Sequence, residues 1–417
     1  MKAALLCLSP QLQGEGSLVI DFKPDIAARQ DAWIALRRDL HRQPELGFAL
    51  PRTAGIVAGR LHDLGLEVQT GIGESGVVAV LEGAADGPTV LVRADMDALP
   101  IQEENEVPYA SQTAGVMHAC GHDGHTAIAL AVAELLSARR AELAGRVKFV
   151  FQPAEEIGRG AQAMIAAGAL QAPAPQVSLG LHLWNEMPVG AVALVDGPMM
   201  AAAGDMTITV RGRGGHGALP HETRDPIVAA CQIVSALQTI VSRNVRPTEV
   251  AVVSVTEFKA GDSFNVIPAS ARLRGTIRAF HNEMIALLGE RVQAISQDIA
   301  AALGCQAEVT VEQLTLPVVN DAGVNERLRA VFQAVAPGVQ LIRDFQTMAA
   351  EDMSYFLEAV PGTFFFVGSA NPERGLDYPH HHPRFDFDEA AIPLAVELLA
   401  AAVASYVLPG VQPDRAK

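Results

Sequence analysis

The sequence predicts an α/β protein: a mostly parallel sheet covered by helices on both faces, interrupted by a small α+β unit. Three observations lead there. Between residues 77 and 184, apolar or alternating runs bounded by Gly or Pro are separated by Ala-rich helical stretches, the rhythm of a parallel sheet. Near residue 200 the rhythm changes to strand, helix, two strands, helix, strand. After Pro317 helices and a single apolar strand return.

Taken in order, helical periodicity over 25–42 runs into LHRQPELGF, where Pro44 and Gly47 stop it, and a second helix follows at 52–64. Strands are predicted at VVAVLEG (77–83), TVLVRAD (89–95), RVKFVFQP (146–153) and QVSLGLHLW (176–184), with helices at 123–140 and 160–169. The middle of the chain gives strand 205–212, helix 225–242, strands 249–258 and 270–280, helix 282–303 and strand 307–314. That βαββαβ order is the ferredoxin-like, split-βαβ unit of a two-layer domain. Helices 321–335 and 351–359, strand 363–369 and a last helix complete the chain. The economical organisation is one α/β domain in two segments, 1–200 and 316–417, with residues 201–315 inserted as an α+β domain.

Composition narrows the function. With 417 residues, 49% hydrophobic and 19% charged, the chain can bury a large core and is not disordered. Lys and Arg total 31 against 47 Asp and Glu, a net charge of −16 whose field repels phosphate backbones and anionic membrane. Neither is expected as a partner, although a local cationic pocket for a small acid is compatible with that balance. Cys7, Cys120, Cys231 and Cys305 lie far apart with no C-x-x-C pair, so no disulfide framework or zinc finger is expected, and a reducing cytoplasm fits. The start, MKAALLCLSPQ, has an apolar stretch of about six residues, short of a secretory core of ~7–15, and no signal peptide is expected. Residues 390–408 are apolar but Ala-rich and carry Pro393 and Glu397, which predicts a buried terminal helix rather than a membrane span.

Four segments carry chemistry. HACGHDGHTA (118–127) puts Cys120 and His122 two apart just before a helix, so both can face one point and the helix N-terminus favours a thiolate. FQPAEE (151–156) ends a strand in Glu155 and Glu156, adjacent carboxylates whose side chains diverge; one can bind a cation while the other handles a water proton. His182 lies in the apolar strand GLHLW, and His380, His381 and His382 lie between prolines in PHHHPRFDFDE. Each has a plainer explanation alone: a buried Cys with capping histidines, a solvated loop, a core imidazole bonded to backbone, surface polarity. Parallel strands, however, deliver loops distant in sequence to one crevice. Thiolate, imidazole and carboxylate together suit zinc, manganese, cobalt or nickel better than magnesium or calcium, and there are ligands enough for two ions.

Those segments, with GGHGALPH (214–221), FNVIP (264–268) and GTIR (275–278), resemble the dinuclear-metal amidohydrolases that include hippurate hydrolase, auxin-conjugate hydrolases and N-acyl-amino-acid deacylases. The resemblance runs from about residue 33 to 407, in family order. It implies a metal-bearing α/β domain with an inserted lid or dimerisation domain, a homodimer or tetramer, and two divalent ions. It also implies that Cys120 and His122 bind metal, Cys120 between the ions, with Glu156, His182 and His381 completing the set. His381 is chosen because the family ligand stands two residues before the proline, here Pro383; His380 and His382 remain alternatives. Glu155 is the implied general base, and Asp97, in RADMDALP, orients a ligand or the catalytic centre. His216 is implied to reach the partner subunit's site and polarise the scissile carbonyl, and Asn265 and Arg278 to hold the substrate carboxylate.

The expected activity is hydrolysis of an N-acyl amino acid to a carboxylic acid and a free amino acid. Two other classes stay open: acyl transfer with Cys120 as nucleophile, and a non-catalytic metal-binding homologue.

Overall fold

The computed structural model describes residues 21–408. The opening segment in which no signal peptide is expected, and Cys7 with it, lie outside the described residues.

The main sheet has eight strands in the order Glu67–Ile72, Gly76–Glu82, Ala144–Gln152, Ala85–Asp95, Val177–Pro188, Gly362–Ala370, Ala191–Ala193 and Gln340–Ile342. The central run from Ala144–Gln152 to Gly362–Ala370 is parallel, and the first two strands join it antiparallel. Gly362–Ala370 is buried at every position, which is why it reads as the unbroken apolar run GTFFFVGSA. Glu67–Ile72 is an exposed edge, and Ala191–Ala193 and Gln340–Ile342 have three residues each. None offers enough buried positions for a periodic signal, so sequence reading does not find them.

Helices Lys23–Arg42, His122–Ala138 and Ala391–Val407 share one apolar core with the sheet. Small side chains let them approach closely: Ala391–Val407 buries Ala395, Ala400, Ala402 and Ala404 and is a core helix, as expected. Helix Met353–Ala359 packs within a second core with Trp184, Phe364 and Phe366.

Residues 202–315 form a four-stranded antiparallel sheet in the order Ala251–Ala260, Ser270–Ala279, Ala202–Arg211, Gln306–Thr315. Ser270–Ala279 alternates between exposed and buried positions, the signature of a sheet with one covered face. Helices Pro226–Asn244 and Asn282–Ala302 cover it through Ile233, Leu237, Ile240, Leu288 and Val292. The first is begun by Asp225, whose carboxylate accepts from Ile227 N at 2.9 Å, with Pro226 in the first turn. Register places Arg278 opposite Ala203 and Thr315 on the other side of Ala203.

One buried guanidinium ties the functional loops to this frame. Arg37 donates to Asp123 at 2.7 Å and Asp386 at 2.9 Å, which joins the first helix to the residue after His122 and to the segment that follows His380–His382. His41 Nδ1 lies 2.8 Å from the same Asp123 carboxylate. Burial pushes the His41 imidazole down, but Asp123 outweighs it, and the pKa rises to about 8. A raised folded pKa gives stabilisation that is complete below the unfolded value near ~6.5 and is lost as pH rises through the folded one. The stability difference between wild type and His41→Gln, read from thermal unfolding, is therefore expected to be larger at pH 6 than at pH 9 by about 2 kcal/mol. A gap independent of pH would mean that folding leaves the His41 pKa unshifted.

Candidate metal centre and active site

The donors converge at the carboxyl ends of the parallel strands. Gly121, with φ +90°, turns the chain between Cys120 and the helix that opens with His122, a conformation an L side chain rarely adopts. Glu155 and Glu156 follow strand Ala144–Gln152, and His182 lies within strand Val177–Pro188. Ala154 and His381 both have left-handed backbone, φ 56° and 65°, at a cost of roughly 1–3 kcal/mol each, which the surrounding structure must hold in place.

Hydrogen bonds aim the ring nitrogens. His122 Nδ1 donates to the Asp97 carbonyl at 2.8 Å and His182 Nδ1 to the Leu183 carbonyl at 2.7 Å, so each presents the Nε2 lone pair to the site. His182 Nε2 lies 3.5 Å from Cys120 Sγ. His122 Nε2 lies 3.8 Å from Glu156 Oε1, and both atoms are buried without a hydrogen-bond partner. His381 Nε2 is 3.4 Å from the other Glu156 oxygen. Two of the donor groups share Cys120, one with His122 and His182 and one with Glu156 and His381; within each, the donor atoms lie within 4.8 Å of one another. Cys120 belongs to both and would hold metal in each.

Electrostatics point the same way. Burial, and next to it the Glu156 carboxylate, push the Cys120 thiol well up. Burial followed by Glu351 and Glu156 raises Glu155 far above the carboxylate range, and burial raises Glu156 to about 8. Burial drives the His182 imidazole down, towards the neutral form that ligates. So many buried anions cannot all ionise together unless cations stand among them, and the unpartnered Nε2 of His122 and Oε1 of Glu156 are donors of the kind that divalent ions take. The residues fit a pair of such ions.

The remaining expected residues are distributed as follows. Of the three consecutive histidines, His381 joins the donor group; His380 Nε2 accepts from Asn185 N at 3.1 Å, and His382 stacks on Tyr378. Asp97 is buried: its carboxylate accepts from the backbone N–H groups of Glu155 at 3.0 Å and Glu156 at 3.2 Å. It therefore holds the loop that carries both glutamates. Arg278 lines the same cavity of ≈ 370 Å³ as Cys120, Glu155, Glu156, His182 and His381. Burial lowers its guanidinium pKa, and Nη1 donates to the Ile277 carbonyl at 3.0 Å and to Thr276 Oγ1. Nε and Nη2 have no acceptor among the described residues. His216 and Asn265 lie elsewhere, exposed on the short ladder in which His216 pairs with Val266.

Sequence reading missed part of the site. His125, the third imidazole of HACGHDGH, is committed on both nitrogens, to Asp95 Oδ1 at 2.7 Å and Leu183 N at 2.9 Å. Arg93, Asp95, Glu351 and Asp352 are buried around Glu155 and the histidines. Asp95 stands two residues before Asp97 in RADMD, a usable signal; Glu351 and Asp352 read only as the start of a helix.

Fold and site together define a metal-dependent amide hydrolase. The chain belongs to Peptidase family M20/M25/M40, which it matches over residues 91–405. It is 40% identical over 369 residues to the N-acetylcysteine deacetylase of Bacillus subtilis (strain 168), covering 88% of this chain and 94% of that protein. It is 37% identical over 385 residues to the IAA-amino acid hydrolase ILR1-like 4 of Arabidopsis thaliana, covering 91% and 86%. Among solved structures, the Bacillus subtilis YXEP protein, a dinuclear metal binding peptidase from the M20 family, superposes with a TM-score of 0.78 at 37% identity, over 91% of this chain and 99% of that one.

Because Cys120 is common to both donor groups, Cys120→Ser is expected to lower the metal retained per chain after desalting, since a hydroxyl is a much weaker ligand than a thiolate. Elemental analysis checks this; unchanged stoichiometry would remove Cys120 from the site.

Proposed function

We propose that the protein hydrolyses the amide bond of an N-acyl amino acid, hippurate-like or a related conjugate, releasing a carboxylic acid and the free amino acid. The observation that carries the reading is a single cavity holding a two-ion donor set, a carboxylate beside it and a half-buried, partly uncommitted guanidinium. When bound, the divalent ions supply a water of lowered pKa and a Lewis acid for the scissile carbonyl. Glu155 accepts the proton of the attacking water and returns it to the leaving nitrogen. Arg278 offers its free N–H groups to the substrate carboxylate, whose charge compensates a guanidinium that burial disfavours. Trp184, Met200 and Leu314 give the rest of the wall an apolar character suited to an acyl chain or ring. The relatives named for N-acetylcysteine and for IAA-amino acids act on conjugates of this general form. The thiolate chemistry suits a reducing cytoplasm.

The site is completed by a partner. Residues 201–315 serve as a lid and dimerisation domain, and His216 acts at the partner's metals. The edge strand Ala251–Ala260 has one unpaired side, with Val250 just before it and Phe258 on it exposed, which a symmetric pair would cover. Asn265, whose carbonyl accepts from Gly217 N at 2.8 Å beside His216, would cross with it, while Arg278 serves its own chain.

Glu155→Gln is expected to keep its metals and lose turnover by ~10² or more, the usual scale of general base catalysis; near wild-type turnover of hippurate and N-acetyl amino acids would refute the assignment. Turnover that resists chelation but is abolished by thiol alkylation would instead favour Cys120 as nucleophile. For the partner arrangement, inactive Glu155→Gln and His216→Ala chains are unfolded, mixed and refolded. A mixed dimer acting across the interface has one intact site, so activity returns. Verified mixed dimers without activity would refute the crossing of His216.

A further inference from the structure

Asp352, fully buried at the start of helix Met353–Ala359, grips both ends of the loop that carries Glu155 and Glu156. Its Oδ1 accepts from Gln152 Nε2 at 2.6 Å, at the end of the strand that precedes the loop. Its Oδ2 accepts from Ala161 N at 2.9 Å, where the chain leaves the loop for the next helix. Its own backbone N–H points at Glu155 Oε1, 3.4 Å away. Behind it Arg93 donates to Asp352 and Glu351 at 2.9 Å each, to Asp95 at 2.6 Å and to Gln152 Oε1 at 2.8 Å. The loop between those anchors is tight: a Cβ on Gly160 would stand 1.6 Å from the Pro153 carbonyl oxygen.

We infer that Asp352 is a positioning residue for the hydrolytic step, a clamp that fixes Glu155 relative to the metal donors. The inference rests on the reading of Glu155 as general base. The chemistry of the clamp is specific to a carboxylate. Gln152 Nε2, Ala161 N and Arg93 Nη2 are all donors, and both oxygens of Asp352 are committed to them. An asparagine of the same shape has one acceptor oxygen, so its NH₂ must face a donor and one end of the loop is released. Even a shift well under an ångström at a proton-transferring group is felt in the rate, because catalysis depends on held geometry.

The same segment also reaches the cavity and the inserted unit. Ala349 and Ala350 line the cavity, and the Ala349 carbonyl accepts from Ala201 N at 3.1 Å, just before strand Ala202–Arg211. A clamp attached at that point sets the base from the side on which substrate binds.

The test is a double-mutant cycle on the metal-loaded, full-length protein, with kcat, KM and metal content measured for Asp352→Asn, Glu155→Gln and the double variant. Asp352→Asn is expected to lower kcat about tenfold or more with KM within about threefold and metal content unchanged, and to cost less than about twofold more once Glu155 is Gln. Unchanged kcat in Asp352→Asn, or the same factor lost again in the Glu155→Gln background, overturns the clamp while leaving the base assignment standing. Near wild-type turnover of Glu155→Gln alone overturns the base assignment and the clamp with it. If Asp352→Asn does not fold, Gln152→Met, which releases the loop from the strand side, is carried through the same cycle and read by the same outcomes.

Discussion

The site is organised by acidic side chains crowded together below the protein surface. Asp95, Asp97, Glu351 and Asp352 are buried together with Glu155, and Glu156 lies against His122 and His381. Arg93 is the guanidinium enclosed among them, bonded at once to Asp95, Glu351 and Asp352. Burying carboxylates without compensation costs several kcal/mol per ion, so a fold keeps such a cluster only where cations share it. Arg93 compensates the rear of the cluster. The front, formed by Cys120, His122, Glu156, His182 and His381, offers the kind of donors that divalent ions take.

Much of this was legible in the sequence because the signals were local. Cys120 and His122 are two residues apart before a helix, Glu155 and Glu156 close a strand, and His182 interrupts an apolar run. Parallel strands then bring them together, since their carboxyl ends share one edge of the sheet. The βαββαβ order was equally readable, because a half-exposed antiparallel strand such as Ser270–Ala279 alternates cleanly. What escaped was whatever depends on tertiary pairing. Arg93 reads as a strand residue and Asp352 as a helix start; only the fold brings them to Gln152, Ala161 and Glu155, from far along the chain. His125, three residues after His122, has both nitrogens engaged, by Asp95 and by the Leu183 backbone, pairings that sequence alone does not reveal.

The exposed ladder of His216 and Val266 has a different logic. Phe264, Val266 and Leu219 are exposed around it, although apolar side chains of that size are usually buried. Its glycines allow close approach instead, as where Gly217 meets the Asn265 backbone. This polar tip with an apolar collar is the feature on which the proposed partner contact rests.

The strain at Ala154 and His381 can be placed in the same frame. Adjacent side chains on a regular strand point to opposite faces, so Glu155 and Glu156 could not both serve one cavity if strand Ala144–Gln152 simply ran on. The left-handed turn at Ala154, immediately after that strand, redirects the chain so that Glu155 lies against Asp352 while Glu156 faces His122 and His381. His381 makes the corresponding turn from the opposite side, with its N–H donating to the Ala119 carbonyl at 2.8 Å next to Cys120. Left-handed backbone at non-glycine residues is unfavourable, and it persists only where neighbours over-determine it. Here the neighbours are the carboxylate of Asp97 on the backbone of both glutamates and that of Asp352 at the two ends of their loop. The acidic residues behind the site thus do mechanical work: they hold the strained turn at Ala154 in the arrangement that sets Glu155 and Glu156 side by side, while the Ala119 carbonyl holds the one at His381.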